Sequence, residues 1–209
     1  MWSECNPTPS SFPNKTAAEG WSAGWQGFLY TGGMRAGEAS VRQVLKQVAK
    51  GGVGALRSTV RGTFWLCLEA PDGTLHHLVD PTAMMRVFVT AKGIFGSYIA
   101  ALKSERLNFE SIPVEGIVEF LNYGRFGGNY THHPSVTTLR GSQRLEINPQ
   151  GQLQIHERPL VDLIEHPGTS VETLFADLAT ALEGHRVAVD LTGGMDSRLV
   201  VALLHAHGV

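Results

Sequence analysis

The sequence predicts a two-part chain: an α+β domain of antiparallel strands with a few helices, then the beginning of an α/β unit built on a parallel sheet. Three observations point there. Between residues 56 and 157, short apolar runs alternate with turn sequences such as Pro71-Asp72-Gly73 and Asn148-Pro149-Gln150-Gly151, which is a hairpin pattern. Residues 169–183 switch to a helical period. Val187–Leu191 is then an apolar run broken only by Asp190, short enough for a buried parallel strand, and it passes through a glycine turn into a second helical stretch.

In chain order, residues 1–20 are rich in Pro, Ser and Asn, show no period, and read as a flexible lead-in. Trp21, Trp25, Phe28, Leu29 and Tyr30 supply a first strand, whose aromatic residues fit a core better than a stacking site. Ser40 begins a helix with Val41, Val44, Leu45 and Val48 on one face, closed by Gly51 and Gly52. Gly62 to Asp80 forms a hairpin, with Thr63–Leu68 running out and Thr74–Asp80 returning. Arg86–Thr90 and Ile94–Tyr98 pair around Lys92-Gly93 and lead into a short helix ending near Lys103. Pro113 opens another helix with Val114, Ile117, Val118 and Leu121 on one face. Ser142–Ile147 and Gln152–Glu157 make the last hairpin of an α+β domain spanning 21–168.

Thr169–Glu183 is an amphipathic helix, with Thr169 and Glu172 as a capping box, Val171, Leu174, Phe175, Leu178 and Leu182 as its stripe, and Gly184 as its stop. Residues 169–209 therefore read as the first helix, strand, loop and helix of an α/β domain with a parallel sheet. One strand and two helices cannot bury their own faces, so this second domain is expected to be truncated and the chain to be a fragment.

Composition narrows the function classes. A chain of 209 residues with 43% hydrophobic content suffices for one large domain or one and a fraction. A net charge of −2 gives no reason to expect a nucleic acid or an anionic membrane as partner. No basic-then-apolar leader begins the sequence and no run approaches a membrane span. Cys5 and Cys67 are isolated, without CxxC spacing, which fits free thiols in a reducing compartment. A soluble cytoplasmic protein is expected. His76-His77 and His132-His133 are adjacent pairs whose side chains would face opposite sides of a strand, so neither pair chelates one metal; surface or helix-capping histidines are expected. Asp72, Asp80 and Asp162 have no partner at an acid/base spacing, and Gly127-Gly128-Asn129-Tyr130 is a lone glycine loop.

The candidate site is Thr192-Gly193-Gly194-Met195-Asp196-Ser197, between the expected strand and helix. Glycines there can take positive φ and let an anion approach the main chain, while the helix start offers free N–H groups. Thr192 and Ser197 add hydroxyls on either side. Asp196 suggests either a helix cap or a ligand for the Mg²⁺ that accompanies a nucleotide. A Walker A loop is excluded, because its Lys is missing.

These six residues resemble the SGGxDS pyrophosphate loop of the N-type ATP pyrophosphatases (the PP-loop), in particular of asparagine synthetase-like enzymes. Thr192 stands for the first Ser and keeps the hydroxyl. Arg198 follows where a small residue is usual, adding a phosphate contact or altering the substrate. The preceding domain resembles a class II glutamine amidotransferase domain through Arg61-Gly62-Thr63-Phe64, Asp80 and Tyr98-Ile99-Ala100-Ala101-Leu102. Val118–Leu121, Gly124, Thr138-Leu139, Gly141, Gln143-Arg144-Leu145 and Gly151 resemble that domain's closing segment. The resemblance covers the chain from about residue 56 onward.

The resemblance implies a glutaminase-like domain of stacked antiparallel sheets with helices, and an ATP-dependent ligase that activates a carboxylate as acyl-adenylate and passes the acyl group to an amine. Gly193, Gly194, Thr192 and Ser197 would hold the pyrophosphate of ATP, and Asp196 would position Mg²⁺. The glutaminase half departs from its pattern. Such enzymes use an N-terminal Cys, and here Met1 is followed by Trp2, with Cys5 in a Pro-rich segment. Glutaminase activity is therefore not expected, and the amine is free ammonia or one on the substrate itself. Two further readings stay open: a non-catalytic scaffold that keeps the loop as structure, and an amidotransferase whose true start lies elsewhere. The expected partners are ATP and a small carboxylate or peptide substrate, with a homo-oligomer or a separate chain as ways to complete the site.

Overall fold

The computed structural model describes residues 5–56, 60–105, 114–124, 130–157 and 170–209. Six antiparallel strands form the main sheet: β1 (Asn14–Ala18), β2 (Trp21–Thr31), β3 (Val60–Glu69), β4 (Leu75–Val79), β8 (Gln143–Ile147) and β9 (Leu153–Glu157), side by side in that order. A second sheet joins β6 (Gly93–Phe95), β5 (Phe88–Thr90) and β7 (Thr137–Thr138). Helices α1 (Glu38–Gly51), α2 (Tyr98–Ser104), α3 (Val114–Tyr123), α4 (Val171–Leu182) and α5 (Met195–Ala206), with short 3-10 turns at Pro9–Ser11 and Val53–Ala55, complete the described elements. This is a mixed α+β fold.

Strand alternation builds the layers. In β3, Phe64, Leu66 and Leu68 pack with Ala23, Trp25 and Leu29 of β2 and with Val41, Val44, Leu45 and Val48 of α1. The intervening Trp65 and Cys67 face the other way, onto Val87, Val89, Ile94 and Leu139 of the small sheet and its flanks. Each buried α1 side chain is worth about 2 kcal/mol against exposure, enough to hold the helix on the sheet. Gly62 at the start of β3 has a φ of +113°, and a Cβ there would collide with the Phe28 carbonyl of β2.

Asp80 turns the chain from the large sheet into the small one. It is fully buried. Its Oδ1 accepts hydrogen bonds from Thr82 N (3.2 Å), Thr82 Oγ1 (2.7 Å) and Met84 N (3.1 Å), and Oδ2 accepts one from Met85 N (3.0 Å). The carboxylate thus stands in for missing secondary structure in the connection.

Several expectations are corrected. Within the supposed lead-in, Asn14–Ala18 is strand β1, paired along its length with β2. Asn6 is tied to β6, its amide donating to Ile94 O (3.3 Å) and its Oδ1 accepting from Ile94 N (3.1 Å). Polar residues suit such edges, which explains the absence of an apolar period. The hairpin reading of 94–98 ends early, since Tyr98 already begins α2, and β7 has no counterpart in the sequence reading. Helix α3 forms, but Val114, Val118 and Leu121 are exposed. The cap of α4 is Ser170, whose side chain accepts from Thr173 N (3.0 Å); Thr169 and Pro113 lie outside the described residues. Val187–Leu191 is not a strand. No described strand runs beside it to supply hydrogen bonds, and its Val187, Val189 and Leu191 side chains are exposed.

Replacing Asp80 by Ala removes the acceptor of four donors in a buried connection. We expect Asp80→Ala to cost about 3 kcal/mol or more of unfolding free energy, read as a fall in the urea midpoint.

Candidate functional site

The loop ahead of α5 is exposed and internally braced. Thr192 and Ser197, expected on opposite sides of the turn, are brought together, their hydroxyl oxygens 2.8 Å apart. Ser197 Oγ also accepts from Thr192 N at 3.1 Å, and Thr192 Oγ1 from Gly194 N at 3.4 Å. Arg198 lies back over the loop, donating from Nε to Gly194 O (3.1 Å) and from Nη2 to Gly193 O (3.3 Å). The carbonyls of the two glycines are thereby occupied, and a guanidinium charge is fixed beside them.

Neither glycine uses the conformation that only glycine tolerates. Gly193 and Gly194 both lack positive φ, and Gly194 is extended at φ −74°, ψ 161°. A Cβ at Gly193 would meet nothing within 4 Å, and one at Gly194 only Thr192 Oγ1 at 3.4 Å, an ordinary contact. The positive-φ expectation is therefore overturned: an extended approach to a helix needs no left-handed residue. What the glycines leave is bare backbone open to close approach.

Asp196 is not the cap. Gly194 holds that position without a side-chain bond, and Asp196 sits exposed in the first turn of α5, where an acid complements the helix dipole. Among the described residues no hydrogen bond or ion pair engages its carboxylate. Its remaining role from the sequence is that of a cation ligand.

The buried thiol–imidazole pair of Cys67 and His77 is inert by construction. Cys67 and His77 are fully buried neighbours, with Sγ 3.9 Å from Nε2. Trp65 Nε1 donates to His77 Nδ1 (3.2 Å), which assigns the ring proton to Nε2 and leaves no lone pair facing the sulfur. Cys67 Sγ instead donates to Pro7 O at 3.5 Å. Burial pushes the thiol well above its usual range, with Glu69 adding to the shift, and burial brings His77 down to about 3, with His76 contributing. A neutral thiol beside a neutral ring cannot attack glutamine.

The expectation of surface histidines fails for the first pair. Strand β4 is covered on both faces, so His77 enters the sheet–sheet core and His76 the opposite face, against Trp21 at 6.0 Å. There Glu146 Oε2 lies 3.5 Å from His76 Nδ1, 3.4 Å from His156 Nε2 and 3.4 Å from Arg144 Nη2. Burial foremost, then Arg144, hold the His76 pKa down. His133 is also buried, whereas His207 does cap α5. Among the described residues, no group of three His, Cys, Asp or Glu side chains is arranged to hold a metal, and no helix is long and apolar enough to cross a membrane. Asp162 and Gly127-Gly128-Asn129 fall outside them.

Reading the sequence alone overlooked Asp177. Its carboxylate pairs with Arg61 of the Arg61-Gly62-Thr63-Phe64 motif and ties α4 to the α+β domain. In the sequence it is an ordinary acid on the polar face of a helix, with no signal beyond that.

No protein-family model matches the chain, and none of the curated proteins matches it. The resemblance to asparagine synthetase-like enzymes rests on the residues named above.

The depressed His77 pKa makes stability depend on pH. Below about 6.5 the unfolded chain takes up a proton at this residue that the folded chain refuses until about 3, so its contribution is complete above 6.5 and is lost as pH falls. Between pH 7.5 and 5.5 the native protein should lose on the order of 1 kcal/mol through this group. Urea titrations at the two values check it: His77→Gln should lose correspondingly less.

Proposed function

We propose that the chain belongs to an ATP-dependent, amide-forming ligase of the asparagine synthetase-like type, acting in the cytoplasm. The reading makes residues 169–209 the first part of a nucleotide-binding α/β domain. The observation that carries it is the pair Gly193-Gly194, two glycines that the local conformation does not require, opening the main chain just ahead of a helix without a side-chain cap. A purely structural turn has no use for them at this cost in chain entropy.

The residues suit a nucleotide's pyrophosphate. Backbone N–H groups at Gly193 and in the first turn of α5 would donate to an approaching anion. Thr192 and Ser197 brace the loop and can turn their hydroxyls outward to donate. Arg198 keeps a positive charge beside the glycine carbonyls. Asp196, exposed and unengaged, would hold Mg²⁺, which when bound neutralises charge on the departing pyrophosphate. With ATP so held, a substrate carboxylate would attack the α-phosphorus, pyrophosphate would leave, and the acyl-adenylate would pass its acyl group to an amine, releasing AMP. Adenine and acceptor would need groups beyond these residues. A further segment or a partner chain would also pair with Val187–Leu191 and give it strand neighbours.

The buried, neutral Cys67 gives no support to a glutaminase step, so the amine would be free ammonia or one on the substrate itself. A scaffold role has one observation in its favour: the apolar side chains of α3 (Val114, Val118, Leu121 and Tyr123) are exposed, as an interaction surface would be.

Calorimetric titration with MgATP separates the two readings. The ligase reading expects binding that Asp196→Ala weakens and Gly194→Val abolishes. An added Cβ has room in the free loop, and the branched side chain beyond it would block the approach of a phosphate. Binding equally tight in Gly194→Val would remove the site from this loop.

A further inference from the structure

The unit that carries the loop is joined to the α+β domain by polar contacts. The buried apolar clusters draw on residues between Phe12 and Ile147, and none takes a side chain from α4 or α5. Within those two helices only Ala181 and Leu204 are buried. Hydrophobic packing therefore does not set where α4 sits.

One carboxylate does more. Asp177 projects from α4 and uses its two oxygens separately: Oδ2 accepts from Arg61 Nη1 of β3 at 2.9 Å, and Oδ1 accepts from Gly33 N, in the turn after β2, at 2.9 Å. Both charged side chains are largely shielded, 26% and 20% exposed. Gly32 lies alongside, where a Cβ would stand 3.1 Å from Asp177 Oδ2, so the turn is open where the carboxylate sits. Three neighbouring ties lie beside it: Arg35 and Glu183 pair at 2.9 Å but are 68% and 52% exposed, Phe28 meets His185 edge-on at 5.8 Å, and Ala36 N donates to Ala181 O at 3.2 Å.

We propose that Asp177 is the joint of the protein: seated between Arg61 and the Gly33 amide, it fixes α4, and through α4 the Thr192–Ser197 loop, on the α+β domain. Helix α4 has twelve residues and exposed Val171 and Leu174, and so short a helix is marginal by itself. Its order then depends on docking. Removing the carboxylate leaves a shielded guanidinium and a backbone amide without their acceptor, so the effect concentrates at this one residue.

Amide hydrogen exchange on the 209-residue protein tests this. In Asp177→Ala, the amides of α4 should exchange about tenfold faster or more, while those of β2, β3 and β4 keep their protection. Asp177→Asn retains an oxygen for the Gly33 amide but no charge for Arg61, and should fall between. Glu183→Ala should exchange nearly as the unaltered protein does. Unchanged α4 protection in Asp177→Ala overturns the proposal, as does an unprotected α4 in the unaltered protein. Loss of protection in β2–β4 in step with α4 overturns it too, because the carboxylate would then belong to the domain's own core. The joint does not rest on the nucleotide reading: a failure to bind MgATP leaves the exchange pattern as stated, and a flat exchange result leaves the loop's chemistry untouched.

Discussion

Two-sided burial of β3 is the constraint on which the rest depends. Phe64, Leu66 and Leu68 hold α1 on one face while Trp65 and Cys67 hold the small sheet on the other, so one strand anchors three layers. Everything at its ends is positioned as a consequence. Gly62 brings the start of β3 close against β2, and Arg61 just before it is presented to α4. At the far side of the hairpin, Asp80 re-routes the chain into the second sheet. Motif residues that look like scattered matches in the sequence are thus the structural corners of one strand pair.

The same packing decides the chemistry of Cys67 and His77. A thiol and an imidazole side by side are the raw material of a nucleophilic site, yet at Cys67 and His77 the sheet–sheet core strips both of charge, and Trp65, by donating to Nδ1, leaves the ring proton on the Nε2 that faces the sulfur. Placement inside a core rather than at its rim decides the matter. The glycine loop is the reverse case. It is open, its side chains are spent on bracing one another, and its unused groups are backbone amides and one carboxylate.

Legibility in the sequence followed the physical origin of each feature. Strands β3, β4, β8 and β9 could be read because turn sequences bound their runs, and helix α1 because its buried residues recur at the helical period. Strand β1 could not, since an edge strand facing solvent carries no apolar pattern, and Asn14–Ala18 consists of polar and small residues. Val187–Leu191 was read as a strand from composition, and composition cannot supply a neighbour to bond with. At the loop, residue identity and order were legible, but the Thr192–Ser197 clasp and the Arg198 fold-back were not. They depend on χ angles and on the extended entry into α5. Asp177 was invisible for a simpler reason: its partners lie 116 and 144 residues away in the chain.

The two parts of the molecule are held by different forces, and this shapes what the loop can do. The α+β domain has a continuous apolar core, whose cost of opening is set by the whole cluster. Around the loop, Val187, Leu191, Met195 and Leu199 remain exposed, so α4 and α5 draw their position from polar contacts with the turn after β2 and from Arg61. Polar joints of this kind are directional but limited in strength, and interfaces within a chain that lack an apolar core move by default. The geometry of the loop is then only as fixed as its joint until strands or a ligand cover the exposed apolar face. If the loop binds a nucleotide, the α+β domain has a physical task in that binding. It presents Arg61 and the Gly33 amide at the spacing that seats Asp177.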